Sequence, residues 1–200
     1  MSLPTLSPAE IERSRVESAA AALRATPSRN DIGPAVVLRT PRLGDGAPMW
    51  RIAKDSAVLD TNSSYAYLLW CRDFAGTSLV AELDGHIVGY VIGFIRPQAT
   101  DTVFVWQIAV DQAQRGRGIG TELLHTLLNS VAAQGISVLE TTISPDNPAS
   151  IAMFASVARA RGADITKSPL FEAGDFPDSH ASEELYRIAP TARTTEEDHR

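Results

Sequence analysis

The sequence predicts an α+β domain built on a mixed, mostly antiparallel sheet with helices on its faces. Three observations carry this expectation. Two apolar runs flank Asp84-Gly85, a dipeptide suited to a tight hairpin turn. Residues 103–110 form a continuous run rich in β-branched and aromatic side chains, as a central strand would. Ile119, Leu123, Leu124, Leu127, Leu128 and Val131 recur at helical spacing and give one apolar face for packing on a sheet.

With 200 residues the chain fits one domain with tails, large enough to shape a small-molecule cleft. Helix formers run from Glu10 to Arg24, followed by breakers at Thr26-Pro27-Ser28-Arg29-Asn30-Asp31 and Gly33-Pro34. Their small alanines offer little apolar area, so residues 1–35 are expected to be a mobile extension. Val36-Val37-Leu38-Arg39 opens a domain spanning residues 36–189. Asp45 precedes a helix through Trp50 and Ile52, and a second helix follows Asn62 and Ser63. The hairpin arms occupy residues 78–83 and 87–95, and Pro97 closes the second. Gly135 ends the helix that begins near Ile119. Residues 136–143 are a strand, residues 147–160 a helix with Gly162 beyond it, and residues 185–188 a short last strand. From Pro190 to Arg200 the chain is polar and reads as a loose tail.

Composition excludes several function classes. The formal net charge is −6, with Lys and Arg scattered, so nucleic acid is not an expected partner. No run approaches the roughly 20 apolar residues of a spanning helix, and the N-terminus lacks the basic-then-apolar order of a signal peptide. A cytoplasmic protein without membrane contact is expected. Cys71, the single cysteine, lies in the apolar run Tyr67-Leu68-Leu69-Trp70-Cys71 and is expected to be a packed thiol. No His or Cys grouping has metal-ligand spacing, so no metal is expected. His86 beside the hairpin turn, His125 on the polar side of a helix, and His180 and His199 in loop or tail all have ordinary explanations.

Arg115-Gly116-Arg117-Gly118-Ile119-Gly120 sits between the central strand and the amphipathic helix. There, backbone N–H groups at a helix N-terminus favour a phosphate, and glycine allows close approach of backbone to oxygen. A Gly-rich turn also serves as a plain strand-to-helix corner. The context is neither that of a Walker loop, which needs Gly-Lys-Ser or Gly-Lys-Thr, nor that of a dinucleotide fold, which puts the motif after the first strand. Taken with Ile108-Ala109-Val110 before the loop and Leu123-Leu124 after it, the segment resembles the signature of the GNAT N-acetyltransferase family. Asn147, with Phe154 seven residues on, matches a second element of that family, and the likeness spans residues 36–189.

That resemblance implies the acyl-CoA N-acyltransferase fold, acetyl-CoA as donor, and a homodimer. Ile108, Ala109 and Val110 would lie along the pantetheine arm, Arg115, Gly116, Arg117, Gly118, Ile119 and Gly120 around the pyrophosphate, and Asn147 near the arm. A backbone N–H late in the central strand would stabilise the oxyanion formed as an amine attacks the thioester. Two departures stand out. Phe154 occupies the place where many members carry a tyrosine that protonates the departing thiolate, leaving Tyr65, water or unaided departure as alternatives. Trp106-Gln107 stands where some members place a glutamate base, with Glu140 in reserve on the following strand.

Four segments resemble, more closely, the branch of the family that acetylates the γ-amine of L-2,4-diaminobutyrate in ectoine biosynthesis: residues 58–67, 69–74, 106–110 and 140–147. A small diamine amino acid is therefore the expected acceptor. The residues are compatible with one. Asp60-Thr61-Asn62-Ser63-Ser64-Tyr65 packs six hydrogen-bonding side chains into a turn and helix start, more than capping one helix needs. Asp60 is a candidate partner for an ammonium, Thr61 for a polar group of the substrate, and Tyr65 for the amine or the sulfur, although Asp60 or Asn62 also suits a helix cap. Trp106 would wall the substrate's methylenes or lie in the core. Glu183 is a candidate for orienting the diamine, and Glu184 is a weaker one. Catalytic roles fall on Asp60, Tyr65 and Glu183. Another amine, such as a peptide N-terminus, a polyamine or an antibiotic, and a non-catalytic acetyl-CoA-binding module are the alternatives.

Overall fold

The computed structural model describes residues 35–56, 59–178 and 180–191. Residues 1–34 of the expected N-terminal extension, Ala57, Val58, Ser179 and residues 192–200 lie outside the described residues. In chain order the elements are β1 (Val37–Arg39), α1 (Gly46–Ser56), α2 (Ser64–Asp73), β2 (Leu79–Leu83), β3 (His86–Arg96), β4 (Ala99–Val110), α3 (Ile119–Ala132), β5 (Val138–Ile143), α4 (Pro148–Ala160), β6 (Ala163–Phe171) and β7 (Glu183–Pro190). The strands form one sheet in the order β1-β2-β3-β4-β5-β7-β6. Among the described strands, β4 and β5 pair in parallel and the other neighbours are antiparallel.

Asp84 and Gly85, with φ of 50° and 77°, both take the left-handed backbone that a two-residue hairpin turn requires. The sheet buries two apolar clusters. On one face the α3 side chains Leu123, Leu124, Leu127, Leu128 and Val131 pack with Phe154 and Val157 of α4 over Val91, Val103, Val105 and Leu139. On the other, Met49, Ile52 and Ala53 of α1 and Tyr67 and Cys71 of α2 pack over Val80, Tyr90, Ile92 and Ala109. Every apolar position counted at helical spacing in residues 119–131 is buried. Cys71 is packed as expected, and burial pushes its thiol up to about 11.

Three elements differ from expectation. β4 starts at Ala99 rather than Val103, and β7 runs from Glu183 through Pro190, which was expected to open the tail. The strand β6 has no counterpart among the expected elements. It is an edge strand exposed along most of its length, paired by backbone with β7 alone. With Asp164, Thr166, Lys167 and Ser168 in it and no face buried, it has no apolar alternation to read, and Pro169 is tolerated because the strand is an edge.

Candidate active site

The ladder between β4 and β5 joins Thr102 to Val138 and ends with Val105 opposite Thr141. Beyond it β4 follows β3 as far as Val110, opposite Gly89, while β5 follows β7 until Ile143 meets Glu184. The two central strands therefore part, and among the described residues no strand lies on the β5 side of β4 over Ile108, Ala109 and Val110. A register shift between β3 and β4 leaves Trp106 as an extra residue between Val105, paired with Gly93, and Gln107, paired with Ile92. Such a bulge reverses the alternation locally. Val103 and Val105 thus face α3, whereas Gln107 and Ala109 face α1 and α2.

At the far end of β4 the chain makes a short 3-10 turn and enters α3 through Gly116 and Gly118, at φ of 78° and 77°. Open space surrounds the Cβ position of both, so these glycines serve backbone conformation. Gly120 serves packing instead, because a Cβ there would lie 2.8 Å from the Met153 sulfur of α4. Gly118 caps α3 without any side-chain hydrogen bond, which leaves the first N–H groups of the helix with no acceptor supplied by the cap. Arg115 turns its Nε onto the Val110 carbonyl at 3.2 Å, and Arg117 bonds Gln114. Asn147 caps α4, its Oδ1 accepting from the Ser150 N–H at 3.1 Å, so its amide nitrogen is the part left to address a ligand arm.

Gln107 is buried and organises the opposite side of the site. Its Oε1 accepts from the hydroxyls of Tyr67 at 3.0 Å and Tyr90 at 3.1 Å, and its Nε2 donates to the Asp60 carbonyl at 2.8 Å. The segment before α2 is thereby tied to the bulge. Neither Asp60 nor Asn62 caps α2: the cap residue is Ser63, with no side-chain cap bond. The Asp60 carboxylate instead lies 2.9 Å from His180 Nε2, which is 4.0 Å from Glu183 Oε1. Burial raises the Glu183 carboxyl above its ordinary value, opposed by a hydrogen bond to Thr142 and by the His180 charge, with the Asp60 and Asp146 charges adding smaller upward contributions.

The structure thus brings Asp60 and Glu183 together around His180, a residue that reads in sequence as an ordinary loop histidine. The linear sequence held no signal for it, since 120 residues separate His180 from Asp60. Thr61 is exposed next to Asp60, and Tyr65 is 64% exposed in the first turn of α2. Trp106 is half exposed rather than in the core, its ring 6.2 Å from Trp70. It borders a groove of about 620 Å³ with Trp70, Phe74 and Phe94, which none of Asp60, His180 and Glu183 lines. Glu140 is not a spare base. It is buried in ion pairs with Arg96 at 2.7 Å and Arg187 at 3.6 Å. Glu184 is paired with Lys167 at 3.0 Å. Phe154 is buried in the core beneath α3 and offers no proton.

A model of the acetyltransferase (GNAT) family matches residues 47–158. An L-2,4-diaminobutyric acid acetyltransferase of Nocardia farcinica is 69% identical over 157 residues, covering 78% of this chain and 81% of that protein. The protein of the same name from Streptomyces coelicolor is 55% identical over 154 residues, covering 75% and 90%. Among solved structures, the diaminobutyrate acetyltransferase of Paenibacillus lautus, in complex with its substrate L-2,4-diaminobutyric acid and coenzyme A, matches with a TM-score of 0.76 at 38% identity, covering 79% of this chain and 96% of that one. Ard1 of Thermoplasma volcanium shares the fold at 21% identity and a TM-score of 0.63.

Replacing Gln107 by Leu removes the acceptor shared by two buried tyrosine hydroxyls and the donor to Asp60. Urea denaturation of Gln107→Leu is expected to show a loss of about 2 kcal/mol, the cost of stranding buried polar groups. A midpoint equal to that of the wild type would mean that the clamp contributes nothing.

Proposed function

We propose, from the premise that the chain belongs to the acetyltransferase (GNAT) family, that it transfers the acetyl group of acetyl-CoA to the γ-amine of L-2,4-diaminobutyrate. The product is N4-acetyl-L-2,4-diaminobutyrate, a step of ectoine biosynthesis. The observation that carries this reading is the pair of carboxylates, Asp60 and Glu183, gathered around one cationic position beside the bulge of β4. The high identity to named diaminobutyrate acetyltransferases supports the choice of amine.

The donor suits the chain's own groups. The uncapped start of α3 with its left-handed glycines fits a pyrophosphate, and Arg115, Gly116, Arg117, Gly118, Ile119 and Gly120 would hold it. The unpaired edge at Ile108, Ala109 and Val110 fits the amide groups of a pantetheine arm, with the Asn147 amide nitrogen near it. Acetyl-CoA supplies an activated acyl group that an amine attacks directly. The protein's task is to orient the diamine and remove a proton, since an alkyl amine is protonated at neutral pH.

Asp60 binds an ammonium of the substrate, with the Thr61 hydroxyl beside it. Trp106 lies against the methylenes. Glu183 takes the proton: a carboxylate whose proton affinity is raised by burial is a better acceptor near neutrality than an exposed one. Tyr65, at the exposed start of α2, is the candidate donor to the leaving thiolate, in place of the hydroxyl that Phe154 lacks. The protein works in the cytoplasm as a homodimer, a reading supported by the exposed Ile165, Leu170 and Phe171 on the edge strand β6.

Coenzyme A release measured with diaminobutyrate, ornithine, lysine and a peptide tests the reading. Turnover of diaminobutyrate with kcat/KM about tenfold or more above that of ornithine, one methylene longer, is expected. Preference for the peptide would overturn the acceptor, and no turnover with any amine would favour a binding module. Glu183→Gln is expected to lower kcat by about 100-fold to 10,000-fold, the usual worth of a general base. In the wild type, kcat should fall as pH drops through the raised Glu183 range, where the carboxylate becomes protonated and cannot accept. A Glu183→Gln protein that keeps this acidic limb would exclude Glu183 as its source.

A further inference from the structure

We infer that His180 is a positioning residue that, as an imidazolium, supplies the cation between Asp60 and Glu183 in the free amine site, so that the substrate's ammonium binds there only when the ring gives up a proton. The inference rests on the reading of Asp60 and Glu183 as the amine site. The hydrogen-bond pattern around the ring carries it. His180 Nδ1 lies 2.7 Å from the Ala181 carbonyl oxygen, and Nε2 lies 2.9 Å from the Asp60 carboxylate and 4.0 Å from that of Glu183. A carbonyl and a carboxylate offer only lone pairs, so both ring nitrogens must donate. Only the charged ring has two N–H groups.

The ring is held in place by other contacts. It stacks on Phe176 with centroids 4.3 Å apart at 22°, and Phe176 meets Phe171 edge-on at 6.1 Å. The His180 backbone N–H donates to Asp178 at 3.1 Å. Among the described residues, the charged groups facing the ring are Asp60 from the segment before α2 and Glu183 from β7, with Asp178 of the same loop accepting from the His180 backbone N–H and Asp146 acting on Glu183 from the turn before α4. All are acidic. The Ala181 carbonyl and the Asp60 carboxylate both raise the His180 pKa above its ordinary value.

Diaminobutyrate brings a second cation to the same carboxylates. When the imidazolium releases its Nε2 proton to solvent, the ring keeps Nδ1–H on Ala181 and turns a lone pair toward the site. The acceptor count around the incoming ammonium rises from two to three groups: Asp60, Glu183 and His180 Nε2. Binding is then linked to proton loss, and the linkage is reciprocal.

Calorimetric titration of diaminobutyrate into the full chain saturated with coenzyme A, in buffers of different ionisation enthalpy near pH 7, counts the protons released. Steady-state KM against pH reads the same linkage. The wild type should release more protons than His180→Gln, by up to about one, and its KM for diaminobutyrate should fall by up to about tenfold per pH unit through the histidine range. His180→Gln should lose that slope. His180→Arg, a permanent cation, should have a raised KM at every pH and no slope. Any contribution from Glu183 or the amine itself is common to the wild type and His180→Gln and cancels in their difference. Equal proton release by the wild type and His180→Gln, with binding intact, would overturn the role of His180 alone. A wild-type KM that rises with pH would do the same, by showing the imidazolium to be a partner of the substrate carboxylate. Absence of diaminobutyrate binding in every protein would instead sink the amine assignment, and this inference with it.

Discussion

Parallel pairing of β4 with β5 stops at Val105 and Thr141, and the rest of the site is arranged around that parting. A continuous ladder would satisfy the backbone of residues 106–110 within the sheet and leave no edge for a ligand. The parting exposes that edge, and the Trp106 bulge next to it changes which side chains face which helix layer. The Thr141 hydroxyl donates to the Val105 carbonyl at 3.0 Å and so secures the last point of contact between the strands. One irregularity thereby gives a proposed donor channel that ends at the uncapped start of α3. It also turns Gln107 toward the layer that carries Asp60.

The opposite side of the site is held by polar contacts rather than by apolar packing. Gln107 fixes the Asp60 backbone, while the Asp60 carboxylate, His180 and Glu183 form an exposed to half-buried acidic cluster joined by one ring. Burial of Glu183 raises its proton affinity, and the neighbouring Asp60 and Asp146 charges act in the same direction. A cation placed there relieves that repulsion. The same electrostatics would select a diamine over a neutral amine and would place a proton acceptor beside the nitrogen that must lose a proton.

The sheet and its helices were legible in the sequence wherever burial imposed a period. Asp84-Gly85 located the hairpin because two successive positive-φ positions are a strong local constraint, and the Leu-rich row located α3 because a single face of that helix is buried. β6 shows no apolar period because it buries neither face; it is an edge strand paired by backbone with β7 and joined to it by the exposed Lys167–Glu184 ion pair. At the candidate site, Asp60 belongs to a run of six polar side chains that exceeds the need of one helix cap, whereas Glu183 is marked only by its place just before the last strand. His180 carries no sequence signal because its partners lie 120 residues away and at the start of the next strand. Gln107 stands, in sequence, where some family members place a base. Its service to two tyrosine hydroxyls and the Asp60 carbonyl depends on a bulge that no sequence period reveals.

The central claim, that the parted strands and the glycine turn form the donor site, is tested most directly by following backbone amide NMR signals as coenzyme A is added. The account predicts that the largest shifts fall on Ile108, Val110 and Arg117 to Gly120, with the amides of β6 unmoved. Saturable binding that leaves the Gly118 to Gly120 amides unshifted while perturbing another surface would contradict it.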